Sequence, residues 1–128
     1  IDAAPEYHAP YAALAELLEA GAEHHVAELE RIAERYPDAS RPHFELGKSL
    51  AASGKRRRAI AELRRAAAAN PGDAAVQTVL GRVLFDAGRY AGAVEAFENA
   101  LRINPDIPGL ARRLQRAREH AAGNEGGI

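Results

Sequence analysis

"GRVLFDAGRYAGAVEAF", residues 81–97, carries two glycines inside a pattern that is otherwise helical. Before the second glycine, apolar side chains fall at Val79, Leu80, Val83 and Leu84. After it they fall at Tyr90, Ala93, Val94, Phe97, Ala100, Leu101 and Ile103. Both runs have the three-and-four spacing that lays one apolar stripe along a helix. Gly88 separates them directly after Asp86 and Ala87, where a helix C-terminus needs a residue that tolerates left-handed dihedral angles. The stretch therefore reads as a helix, a tight turn and a second helix folded back on the first. Gly81 has another role, because it stands inside a helix at a cost of about 1 kcal/mol relative to alanine. A close crossing of the two helices is the expected compensation, with Ala93 as the small partner.

The same hairpin occurs earlier in the chain. Gly47 and Gly54 precede Gly81 and Gly88 by 34 residues, and Asn70-Pro71 precedes Asn104-Pro105 by the same interval. The apolar positions keep this register: Leu46 with Leu80, Leu50 with Leu84, Ala59 with Ala93, Leu63 with Phe97, and Ala66 with Ala100. Helix is disfavoured at a residue before proline, so each Asn-Pro closes a unit. One further step back reaches Pro37, with Leu29 and Ile32 in the slots of Leu63 and Ala66, which marks a weaker third copy.

A 34-residue helix-turn-helix unit with Leu-Gly, then Ala-x3-aromatic, then Pro resembles the tetratricopeptide repeat family. The resemblance spans residues 6 to about 107. It rests on Leu80, Gly81, Leu84, Gly88, Tyr90, Ala93, Phe97, Ala100 and Pro105, and on their counterparts Leu46, Gly47, Leu50, Gly54, Ala59, Leu63, Ala66 and Pro71. His43 and Gln77 stand where the family has an aromatic near the start of the first helix, and Ala13 stands where its glycine would fall. The resemblance implies an all-α, right-handed superhelical solenoid. Helices are expected at about 8–20, 23–36, 41–53, 56–69, 74–87, 90–103 and 108–121, seven in all. The expected organisation is a degenerate first repeat over 1–39, repeats over 40–73 and 74–107, a capping helix over 108–122 and a flexible tail over 123–128.

Composition narrows the functional classes. The chain has 128 residues, 47% of them hydrophobic, enough for one domain with a core. It lacks cysteine, which excludes disulfides, thiolate metal sites and cysteine nucleophiles and leaves cytoplasm and periplasm both open. It also lacks methionine and opens on Ile1, as expected of a piece of a longer polypeptide. No run approaches the roughly 20 apolar residues that span a bilayer, so membrane insertion is not expected. Charge is split along the chain: residues 1–40 hold nine acids and two bases, and residues 41–70 hold two acids and eight bases.

Several apparent motifs dissolve on inspection. "GKSL" at 47–50 resembles the tail of a phosphate-binding loop, but Pro42 occupies the position of the required upstream glycine, and no strand precedes it. His24 and His25 diverge by about 100° on a helix, so they do not share a metal ion. No serine or threonine lies in a nucleophile elbow. "KRRR" at 55–58 could meet phosphates, but no aromatic side chain is interleaved for base stacking, so nucleic acid is disfavoured. The expectation is a non-catalytic protein with no metal and no cofactor.

The period itself yields a binding hypothesis. Lys48, Arg82 and Arg116 are 34 residues apart, each in the first helix of a unit. In the family that the chain resembles, this helix lines the concave groove. There they form a row of cations, with Arg41, Arg112 and Arg113 near its edges and Phe44, Thr78 and Phe85 on the same inner face. An extended acidic peptide would fit such a surface. A clamp for a chaperone's C-terminal carboxylate is disfavoured, since no asparagine falls on the inner face of a first helix. The alternative is self-association or a scaffold role within a larger protein, with Tyr11, Leu14, Leu17 and Leu18 offering apolar surface to another copy.

Overall fold

The computed structural model describes the backbone of residues 11–126 and the side chains of residues 21–123. Among the described residues there are six helices and no strand: α1 (Tyr11–Arg35), α2 (Ser40–Ala52), α3 (Arg56–Ala69), α4 (Ala74–Asp86), α5 (Tyr90–Ile103) and α6 (Leu110–Gly126). Each helix packs on the next in sequence, and α2 also meets α4. The result is an all-α solenoid of stacked hairpins, α2–α3 and α4–α5, with α1 before them and α6 after.

Both hairpin turns are built alike. Gly54 and Gly88 have φ of 80° and 78°. The Lys55 N–H donates to Leu50 O at 2.9 Å, and the Gly54 N–H to Ala51 O at 3.0 Å. Arg89 and Gly88 repeat this pair of bonds to Leu84 and Phe85 at 2.8 and 3.0 Å. These satisfy the last carbonyls of α2 and α4 before the chain reverses. Asp73 starts α4, its carboxylate accepting from the Ala75 and Val76 N–H groups. At Asn104 the side-chain oxygen accepts from the Asp106 N–H at 3.0 Å, an Asx turn that holds the chain on its way to α6.

The helix-internal glycines are packing notches. A Cβ on Gly81 would lie 2.5 Å from Phe97 Cε1 and 2.6 Å from Cδ1. One on Gly47 would lie 2.7 Å from Leu63 Cγ and 3.4 Å from the Ala59 carbonyl oxygen. The nearest side chain is thus the large one four residues beyond the alanine, Phe97 or Leu63, with the Ala59 backbone also close at Gly47. Absent Cβ atoms on α4 and α2 leave room for the Phe97 ring and the Leu63 isobutyl group. Leu50, Leu63, Leu84, Phe97, Val76 and Leu110 fill the centre and are essentially fully buried. Each such side chain contributes about 1.5–3 kcal/mol through burial.

The main departure from expectation is α1. The helices expected at 8–20 and 23–36 are one continuous 25-residue helix across Gly21. Nothing lies within 4 Å of a Cβ at Gly21, so that glycine is neither a notch nor a turn. Ala20, Ala22 and Glu23 around it are strong helix formers, and no proline or second turn residue accompanies it, so the helix runs through. Residues 21–25 are exposed, while Val26, Leu29 and Ala33 pack on the core. At the other end, α6 starts at Leu110, after Gly109 with φ of 75°, and continues to Gly126, beyond the expected end at 121.

Candidate partner-binding groove

On α4, residues 82, 85 and 86 project to one side by helical spacing, and on α6 residues 113 and 116 do the same. These rows face each other. Arg82, Phe85 and Asp86 from α4, Phe97 from α5, and Arg113 and Arg116 from α6 line a half-open pocket of about 340 Å³. The Arg116 guanidinium lies over the Phe85 ring, 5.6 Å from its centroid. Phe85 is in turn held by Tyr90 and His120, each with its ring centroid 5.1 Å away, and Tyr90 and His120 meet edge-on at 4.9 Å, so the three rings form a triangle. These rings fasten α6 to the α4–α5 hairpin and fix the wall on which Arg116 rests. Among the described residues, no carboxylate comes within ion-pair distance of Arg82, Arg113 or Arg116.

The expected inner-face residues fall into two groups. Arg82, Phe85 and Arg116 meet in this pocket, joined by Arg113. Lys48, Arg41 and Phe44 form a separate cluster on α2: Glu45 Oε1 is 3.2 Å from Lys48 Nζ and 3.3 Å from Arg41 Nε, and the Lys48 ammonium sits 4.5 Å from the Phe44 ring centroid. One carboxylate thus offsets part of the charge of two cations, and Phe44 is buried. The Thr78 hydroxyl donates to the Ala74 carbonyl at 2.8 Å, a bond within its own helix. Arg112 is exposed, one turn before Arg116. The side chains of Tyr11, Leu14, Leu17 and Leu18 lie outside the described residues.

The opposite side carries two outer furrows that are equivalent by repeat. One, about 580 Å³, is lined by Glu30, Ala33, Glu34, Pro37, His43, Leu46, Arg58, Glu62 and Arg65. The other, about 380 Å³, is lined by Arg64, Gln77, Leu80, Gly92, Ala96 and Asn99, the counterparts 34 residues on from Glu30, His43, Leu46, Arg58, Glu62 and Arg65, together with Leu84 and Glu95. The first furrow carries His43, Arg58, Glu62 and Arg65 where the second carries Gln77, Gly92, Ala96 and Asn99. His43 and Glu62 are buried, at 3% and 8% exposure, whereas their counterparts are Gln77 and Ala96. The Pro37 carbonyl can only accept, so His43 Nε2 donates to it at 2.8 Å, leaving Nδ1 3.5 Å from Glu62 Oε1. Nδ1 is buried and makes no hydrogen bond among the described residues, so the Glu62 carboxylate is its nearest polar neighbour. Arg65 Nη1 lies 3.1 and 3.4 Å from the two Glu62 oxygens, and Arg58 bridges to Glu30 on α1. This polar knot couples α1, α2 and α3. Sequence reasoning took His43 only for a missing aromatic; the clue was a glutamate in the slot filled by Ala96.

Among the described residues no group of three or more histidine, aspartate or glutamate side chains is placed to hold a metal ion, and no helix is long and apolar enough to cross a membrane.

Several solved structures share the fold of the chain. A crystal structure of MamA superposes with a TM-score of 0.75 at 23% identity, over 79% of this chain and 55% of that one. An O-GlcNAc transferase mutant from Thermobaculum terrenum matches with a TM-score of 0.65 at 29% identity, over 72% of this chain and 18% of that one. The TPR2B domain of yeast Sti1, in complex with pHsp70, matches with a TM-score of 0.67 at 18% identity, over 84% of this chain and 88% of that one. The chain therefore spans a little over half of the MamA chain that it resembles. No curated protein matches the sequence. A tetratricopeptide repeat family model matches residues 44–108, the stretch that holds both notched hairpins. The chain belongs to the tetratricopeptide repeat family.

Proposed function

We propose that this chain is a non-catalytic protein-interaction module whose inner groove receives an acidic peptide or partner segment. The observation that carries this reading is the pocket between α4 and α6, where Arg82, Arg113 and Arg116 line one cavity with no ion-pair partner among the described residues. Exposed cations gathered on one concavity attract and orient an anionic segment, and Phe85 adds an apolar contact beside them. Lys48 and Arg41, tied to Glu45, sit further along and contribute less. Yeast Sti1 TPR2B, a structural neighbour with the same fold, was solved in complex with pHsp70, which supports a partner-binding role.

The test is binding of a labelled glutamate-rich peptide, followed by fluorescence anisotropy. Tightening at low salt and a loss of about tenfold or more on Arg82→Glu with Arg116→Glu support the proposal. Unchanged affinity in that double variant overturns it.

A second reading is self-association. It is favoured by the acidic 1–40 and basic 41–70 segments, and by Ile32 and Tyr36, which stand 45% and 54% exposed near the end of α1. Sedimentation at high protein concentration decides it: a monomer throughout removes this reading.

A further inference from the structure

The number of guanidinium groups around the α4–α6 pocket says more about its ligand than its sign of charge does. Arg82 approaches from α4, and Arg113 and Arg116 approach from α6, with Phe85 and Phe97 forming the apolar part of the lining and Asp86 at the edge. Three cations less one carboxylate leave a formal charge of +2. A carboxylate ligand has two oxygens and one negative charge, so it engages one guanidinium fork edge-on, or two singly, and leaves one arginine and one charge unmatched. A phosphomonoester has three terminal oxygens, hence three edges, and a charge of about −1.5 to −2 at neutral pH. A phosphodiester of a nucleic acid backbone has two free oxygens and one charge, and shares the carboxylate's shortfall. The stacking of Arg116 on Phe85, itself fixed by Tyr90 and His120, holds one fork in place before a ligand arrives.

Building on the reading of the groove as a site for an acidic partner, we infer that the α4–α6 pocket is a subsite for a phosphorylated side chain on that partner. Arg113 is the discriminating residue. It lies outside the 34-residue row of Lys48, Arg82 and Arg116, so a generic cationic groove has no special need of it.

Three labelled peptides of one acidic sequence are compared by anisotropy, carrying phosphoserine, glutamate or serine at a central position, alongside a single-stranded oligonucleotide of matched charge. The expected result is affinity for the phosphoserine peptide at least tenfold above the glutamate peptide, with the oligonucleotide no better than the latter. Arg113→Gln should weaken both peptides but the phosphoserine peptide at least about fivefold more than the glutamate peptide, so that most of the advantage is lost, and circular dichroism should show an unchanged fold. Inorganic phosphate should compete with the phosphoserine peptide more strongly than acetate at equal ionic strength. Equal affinity for the phosphoserine and glutamate peptides, or an equal loss for both on Arg113→Gln, overturns the phosphoryl subsite while the acidic-groove reading stands. Failure of all three peptides to bind overturns both. Preferential binding of the oligonucleotide overturns the assignment to a protein partner.

Discussion

Replacing Gly81 by alanine sets two effects of opposite sign against each other. Alanine in mid-helix is favoured over glycine by about 1 kcal/mol, so propensity alone predicts a gain in stability. Against this, the new Cβ would stand 2.5, 2.6 and 3.1 Å from three carbons of the Phe97 ring. That ring is 2% exposed and cannot swing out, so α4 and α5 must separate or the ring must leave its rotamer. Overpacking of this kind costs about 1–3 kcal/mol, and contact with three atoms of a rigid ring points to the upper end. The net expectation is a loss of roughly 1–2 kcal/mol, or about 3–8 °C in Tm for a chain of this size. Far-ultraviolet circular dichroism during thermal and urea unfolding measures it. Phe97→Leu in the Gly81→Ala background should recover part of the loss, since a shorter side chain vacates the space, although Phe97→Leu alone is destabilising. Gly21→Ala is the control: no atom lies within 4 Å of its Cβ, and the propensity gain should appear unopposed as higher helix content. A Gly81→Ala protein as stable as the parent, or more so, would falsify the notch.

Three other outcomes follow from the same contacts. Gly88→Ala places a Cβ at φ of 78° and should cost about 1 kcal/mol with no steric clash, so Gly88→Asn should cost less; both are read from chemical denaturation. Glu62→Ala and His43→Gln install the residues that the next repeat carries at Ala96 and Gln77, and each alone should destabilise by about 1–3 kcal/mol because it leaves a buried polar partner behind. Together they should cost less than the sum by about 1 kcal/mol or more, and strict additivity in the double-mutant cycle would refute the polar knot. Arg118→Ala removes the exposed bridge to Glu98 at 3.0 Å and should change stability by less than about 1 kcal/mol.

The hairpins were legible because their signals are local and doubled. Expected bounds of 41–53, 56–69, 74–87 and 90–103 lie within one residue of α2 to α5, each edge being set by a glycine cap, a helix-starting residue or an Asn-Pro pair. The continuity of α1 was harder to read, because a lone glycine looks the same in sequence whether it ends a helix or rides on an exposed face. Gly21 lacks the cues that accompany Gly54 and Gly88, namely a second turn residue and an apolar run that restarts on the other side of a hairpin. At the groove, the repeat singled out Arg82 and Arg116 and left Arg113 at the edge of the row, whereas Arg113 lines the same pocket through the three-residue spacing of α6. It also put Lys48 on equal terms with Arg82, although Glu45, three residues before Lys48, already indicated a local partner.

Contacts that run mainly between neighbouring helices let this molecule open at one junction while the others hold. Among the described residues α6 packs on α5 and is pinned to the preceding hairpin by the Phe85, Tyr90 and His120 rings. It also supplies two of the three arginines of the pocket. Opening that one junction scatters the cations while α2 to α5 remain intact. Capture of an acidic partner by the proposed groove should therefore fail at a lower temperature than the α2–α5 fold, and an anion spanning α4 and α6 should act as a rivet that raises that temperature.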